Sequence, residues 1–191
     1  MRAHRITDSI AYHAEGPCWW EATGRLRFVD MLAGAVVELD EAAPGGHRRL
    51  PVGSAVASVI RPRVGGGAIV ATEHGISLSR REDLTAPRPF VSIDPAAGHP
   101  DGLCVDADGG VWVALNGGAA VHRYAPDGAL DAVVELPVRQ VTACTFGGDD
   151  YATLFITTSR EDLPDDVEPA AGSIFAVAPG VRGLAPLPFG R

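Results

Sequence analysis

The chain has 191 residues, a formal net charge of −8 and 46% hydrophobic residues, enough apolar content for one packed domain and too much for general disorder. Its 16 basic residues are all Arg, which excludes lysine-dependent chemistry, the P-loop included, and the acidic balance leaves no basic face for a nucleic-acid backbone. Gly (23) and Pro (15) make up about a fifth of the chain against a usual ~12%, so the chain turns often and is no helical bundle.

In chain order, four units of short β-rich runs follow one another, over about residues 10–52, 53–95, 96–138 and 139–191. The first holds GRLRFVD (24–30), AVVELD (35–40) and HRRLPV (47–52). The second holds SVIRP (58–62), GGAIVATE (66–73), ISLSR (76–80) and RPFVSI (88–93). The third holds GLCVD (102–106), GGVWVALN (109–116), AVHRYA (120–125) and LDAVVELP (130–137), with Asp127 and Gly128 at a hairpin tip. The fourth holds ATLFITTS (152–159), SIFAVA (173–178) and RGLAPLPF (182–189). Its stretch REDLPDDVEPAAG (160–172) is expected as a surface insertion with at most one helical turn. The runs starting at 24, 66, 109 and 152 are 42 or 43 residues apart. Four strands per repeat of that length predict an all-β chain of propeller blades in a single domain. A four-stranded sheet with two apolar faces is unstable alone, and radial stacking buries both faces.

At the axis of such a stack, equivalent positions of different blades converge. Glu15, Ser58 and Asp101 are spaced by 43 and 43 residues. Two carboxylates brought to one channel mouth repel, so they share a proton or hold a cation. Oxygen donors favour Ca²⁺, Mg²⁺ or Mn²⁺, with Zn²⁺ also possible. Glu15-Gly16 and Asp101-Gly102 equally serve as plain turn formers. His13, His74, His99 and His122 lack an i, i+4 ligand pair and are expected at the surface or in turns. Trp19, Trp20 and Trp112 are expected in blade packing. Cys18, Cys104 and Cys144 form no CxxC and read as buried free thiols in a reducing cytosol. No apolar run reaches the ~18 residues of a membrane span, and MRAHRITDSI has no apolar stretch of a secretory leader. GxSxG and strand-following GxGxxG motifs are absent, which leaves a serine-hydrolase triad and a dinucleotide site without support.

The segments EGPCWWEATGRLRFVD, HPDGLCVDADGGVWVALNGGAAVHRYAPDG and TACTFGGDDYATLFITTSR with AAGSIFAVAPGVRGLAPLPFG resemble the senescence-marker-protein/gluconolactonase/luciferin-regenerating-enzyme family, the regucalcin-like lactonases. The resemblance implies a six-bladed propeller with one divalent cation in its channel, and hydrolysis of sugar lactones. It implies Glu15 and Asp101 as metal ligands, with Asp101 also the proton donor and acceptor. The family's Arg-x-Asn-Asp-Gly and Ser-Asn-Gly segments are missing, and Asn116 is the only Asn. The chain thus carries about four of six blade units, with a junction within 75–100. Ser58 or Thr142 could add a hydroxyl ligand. The implied partner is a small lactone, with no nucleic acid or membrane. A shortened ring also exposes blade faces that favour self-association. Because those segments are absent, a second reading is a catalytically impaired propeller that binds a cation weakly or serves as an interaction module.

Overall fold

The computed structural model describes residues 1–62, 68–72, 91–164 and 166–187. Fourteen strands are present among them: β1 (His4–Arg5), β2 (Ala14–Trp20), β3 (Arg25–Asp30), β4 (Ala35–Leu39), β5 (His47–Pro51), β6 (Ala57–Pro62) and β7 (Ala68–Thr72), then β8 (His99–Val105), β9 (Val111–Asn116), β10 (Ala120–Tyr124), β11 (Leu130–Glu135), β12 (Val141–Gly147), β13 (Thr153–Thr158) and β14 (Phe175–Val177). The only helical pieces among the described residues are single 3₁₀ turns at Met31–Ala33, Pro44–Gly46 and Pro95–Ala97. None of them is long and apolar enough to cross a membrane. The strand expected at 76–80, residues 88–90 of the strand expected at 88–93, and His74 lie outside the described residues, and residues 91–93 form no strand.

The strands form antiparallel sheets in the orders β2-β3-β4-β5, β6-β7, β8-β9-β10-β11 and β12-β13-β14-β1. The sheets β2 to β5 and β8 to β11 are up-and-down meanders whose strands alternate with Gly-containing turns. At the β10–β11 turn the Asp127 carboxylate accepts the N–H of Ala129 at 3.0 Å. The fourth borrows its outer strand from the other end of the chain, with His4 opposite Ala176 and Arg5 opposite Phe175. The run at 182–189 was expected to fill that place and does not. Pro179, Pro186 and Pro188 lack the N–H groups a ladder needs, and residues 184–187 form no strand. Residues 160–172 form turns and bends without a helix among the described ones.

The sheets pack face to face through their innermost strands: β6 lies on β2, β2 on β12 and β12 on β8. A separate apolar cluster fills each interface. Trp20, Val29, Val36, Ala57 and Ile60 join β6 to the first sheet. Leu26, Phe28, Val37 and Ile174, with Trp19 stacked on Phe155 at 5.6 Å, join the first sheet to the last. Trp112, Val121, Val134, Phe146, Leu154 and Ile156 join the last to the sheet of β8. These are the radially stacked blades of an all-β propeller fold. The three tryptophans pack as the sequence implied. Close approach of the blades depends on small residues at the inner strands. A Cβ on Gly102 of β8 would run into the Ala143 Cβ of β12, with Ala143 Cα at 2.8 Å and Thr142 O at 2.9 Å.

Candidate functional site

Each inner strand breaks its ladder at the same place. The register shifts between Glu15 and Cys18 in β2, Ala57 and Val59 in β6, Pro100 and Leu103 in β8, and Val141 and Ala143 in β12. Glu15, Ser58, Asp101 and Thr142 therefore all sit at or beside a β-bulge. An extra residue kinks the strand and re-aims the side chains around it, a device common beside active sites. In β2 the kink is made at Gly16, whose φ of +52° disfavours side chains. A Cβ there would also lie 3.2 Å from Val59 Cα.

Glu15 is half-buried and accepts the Gly16 N–H at 2.7 Å. Burial pushes its carboxyl above the ordinary value and the charge of Asp101 adds to this, while the Gly16 N–H and the charge of His13 pull the other way. The two carboxylates stand on β2 and β8, with β12 packed between those strands. Asp101 is exposed, and its Oδ2 accepts the Asn116 Nδ2–H at 3.3 Å. Thr142 is fully buried. Its hydroxyl donates to the Ala14 carbonyl and lies 2.8 Å from Thr157 Oγ1. That hydroxyl fastens β12 to β2 one residue before Glu15. Ser58 is half-buried at the matching bulge of β6.

Two nearby residues were not singled out for the site from sequence. Asn116, the only Asn, reaches Asp101 from the neighbouring strand. His13 was expected at the surface or in a turn and is instead packed, with its side chain 14% exposed. Its Nδ1 lies 2.9 Å from Glu161 Oε2 and 3.1 Å from Ser159 Oγ. Ser, His and Glu are thus together, but both partners meet the same ring nitrogen. A nucleophile relay needs them on opposite nitrogens, so this cluster orients a ring rather than activating a hydroxyl. His99 is exposed, and the half-buried His122 meets the Tyr124 hydroxyl at 3.0 Å.

Among the described residues no three His, Cys, Asp or Glu side chains gather as one ligand group. Glu15 and Asp101 supply two anionic oxygen donors, a set suited to a hard cation whose remaining positions water can fill. Two larger grooves lie elsewhere. One of about 1100 Å³ runs past Arg5, Trp19, Arg25, Asp40 and Phe155. One of about 720 Å³ is lined by Arg2, His122 and Glu135 among others. Neither includes Glu15 or Asp101.

Residues 77–160 match the family described as the SMP-30/Gluconolactonase/LRE-like region. That match covers under half of the chain, which is similar to this family over that segment. Regucalcin of Xenopus laevis is 36% identical over 107 residues, 53% of this chain and 36% of that protein. YvrE of Bacillus subtilis, named for an ascribed sugar lactone lactonase activity, is 36% identical over 111 residues, 56% of this chain and 38% of that protein. The chain therefore spans little more than a third of the length of the curated relatives it matches. The crystal structure of a calcium-binding regucalcin from Agrobacterium tumefaciens superposes with a TM-score of 0.80 at 19% identity, covering 100% of this chain and 98% of that one. At that identity the likeness concerns the propeller fold.

Proposed function

We propose that the chain is a metal-dependent lactonase acting on small sugar lactones, with Glu15 and Asp101 as its cation ligands and Asp101 as its proton donor and acceptor. The observation carrying the reading is that two carboxylates from separate blades stand at matching β-bulges of the inner strands β2 and β8. The names borne by the 36%-identical relative and by the family support the substrate class. A divalent cation bound there, of which Ca²⁺, Mn²⁺, Mg²⁺ and Zn²⁺ are all candidates, would supply Lewis acidity toward a lactone carbonyl.

The chain's own groups do the rest. Asp101 is exposed, so water and substrate reach its carboxylate. It accepts a proton from an attacking water and returns it to the ring alkoxide as the C–O bond breaks. The Asn116 amide holds Asp101 Oδ2 and limits which oxygen faces the water. Glu15, half-buried and fixed by the Gly16 N–H, stays put as a cation ligand. The three unpaired thiols accord with a reducing cytosol, and exposed blade surface favours association with a second copy.

The test is alkali uptake on gluconolactone, with each cation added in turn. Asp101→Ala removes a step usually worth about 10²–10⁴-fold, so turnover should fall at least a hundredfold. An unchanged rate overturns that role. A second reading, a cation-binding or interaction module without catalysis, is favoured by the absence of a three-residue ligand group among the described residues. Lack of turnover by the wild-type chain with every cation would establish it over the first.

A further inference from the structure

Cys104 on β8 and Cys144 on β12 belong to different blades, yet their sulfurs are 3.7 Å apart. This is no accident of two long side chains. Two residues before Cys104, the backbone of β8 lies so close to β12 that Gly102 has no room for a Cβ beside Ala143. The same approach carries Cys104 past Ala143 to Cys144. A disulfide needs an S–S distance of about 2.0 Å, and rotation of two short side chains closes the remaining gap.

We propose that Cys104 and Cys144 form a reversible disulfide between two blades, closed by hydrogen peroxide and opened by thiols. The roles follow from access. Cys104 is half-buried where Cys144 is buried, so oxidant reaches Cys104 first. Cys144 is buried, 3.7 Å from the Trp112 carbonyl, and its thiol is pushed up by its bond to Cys104 and by burial. Cys104 is therefore the attacking sulfur and Cys144 the resolving one. The Cys104 thiolate attacks peroxide: an S–O bond forms, the O–O bond breaks and hydroxide leaves as water. Cys144 then attacks the sulfenic sulfur: the S–S bond forms, the S–O bond breaks and a second water leaves with the Cys144 proton. Two thiols and one peroxide give one disulfide and two waters. Cys18, the third thiol, is buried on β2, where its Sγ–H donates to the Trp19 carbonyl at 3.6 Å.

The bond would tie β8 to β12 three residues from Asp101 and beside Glu15, whose charge reaches Cys144. Its formation does not depend on the lactonase reading, so each can fail alone. The full chain is treated with hydrogen peroxide, denatured, alkylated and digested without reductant. Titratable thiols should drop from three to one. The peptides carrying Cys104 and Cys144 should appear joined with the loss of two hydrogens, and dithiothreitol should part them. Cys18→Ser should still close the bond, while Cys104→Ser and Cys144→Ser should not. Three thiols surviving excess peroxide, Cys104 ending as sulfinic acid, or a cross-link between two copies would each overturn the proposal. The thiol count on the wild type needs no variant to fold.

Discussion

Asp106 is almost fully buried, and its carboxylate accepts from four donors. Its Oδ1 accepts from the backbones of Asp108 and Gly110, its Oδ2 from Trp112 Nε1 at 2.8 Å and Arg123 Nε at 2.7 Å. Burial alone would raise its pKa, but the bonds from Arg123, Trp112 and Gly110 and the charge of Arg123 outweigh it and hold the carboxyl below the ordinary value. A depressed folded-state pKa stabilises above the unfolded value of about 4 and is lost as pH falls through the folded value. Melting temperature should therefore fall below about pH 4, and Asp106→Asn should flatten part of that slope. At neutral pH the substitution leaves a buried guanidinium short of a partner, a loss on the order of 3 kcal/mol, with Asp131 still paired to Arg123. Thermal melts of both chains between pH 7 and pH 3 check this; parallel curves would acquit Asp106. Residues of this kind were not legible beforehand. The repeat period put Glu15, Ser58 and Asp101 in one register from spacing alone. Asp106 and His13 take their meaning from partners 17 and 148 positions away, which no local pattern announces.

Most strands were legible because each meander supplies its own alternation and its own turns: AVVEL, VWVALN and TLFITT each carry the pattern they adopt. β1 did not, since two polar residues hold no periodicity. Its place comes from what it meets. Residues 1–6 hydrogen-bond to both neighbouring outer strands: the Ile6 N–H donates to the Ile174 carbonyl at 2.9 Å, the Ala3 N–H to Glu135, the Glu135 N–H to Met1, and the terminal ammonium to the Val133 carbonyl. The segment thus laces β14 to β11 across two sheets. Deleting residues 1–6 removes these bonds and uncovers the edge of β14. At a net ~1 kcal/mol per bond, the loss is roughly 2–4 kcal/mol. For a chain of this size that lowers the melting temperature by roughly 5–15 °C. A shift under about 2 °C by calorimetry would show the lacing to be idle. The first sheet also carries buried acids on and just after β4, with Glu38 between Arg25 and Arg27 and Asp40 between Arg25 and Arg48. Their pairing was equally hidden, because the partners sit on opposite strands of the ladder.

Across the whole molecule the sheets run in the series β6-β7, β2 to β5, β12 with its partners, and β8 to β11, each lying on the next. Among the described residues β6 and β8 end this series, and the two ends differ. Ala57 and Ile60 of β6 are buried against the first sheet. β8 leaves Leu103 60% exposed and Val105 41% exposed. Segment 91–97 contributes Val91, Ile93 and Ala97, which cover Val113, Leu115 and Tyr124 beside it, but not these two. Exposed apolar surface costs roughly 25 cal/mol per Å² against burial, and two copies apposing β8 would recover part of it. We expect the purified chain to associate with rising concentration in light scattering, with a weaker tendency in Leu103→Ser and in Val105→Thr. Both side chains are largely in water, so neither change should alter the unfolding free energy by more than the roughly ±0.5 kcal/mol typical of surface sites. Association that persists unchanged in the double variant would place the interface elsewhere. A wild-type chain that stays monomeric up to high concentration would show that water at β8 is tolerated, as it is where an inner strand faces an open channel.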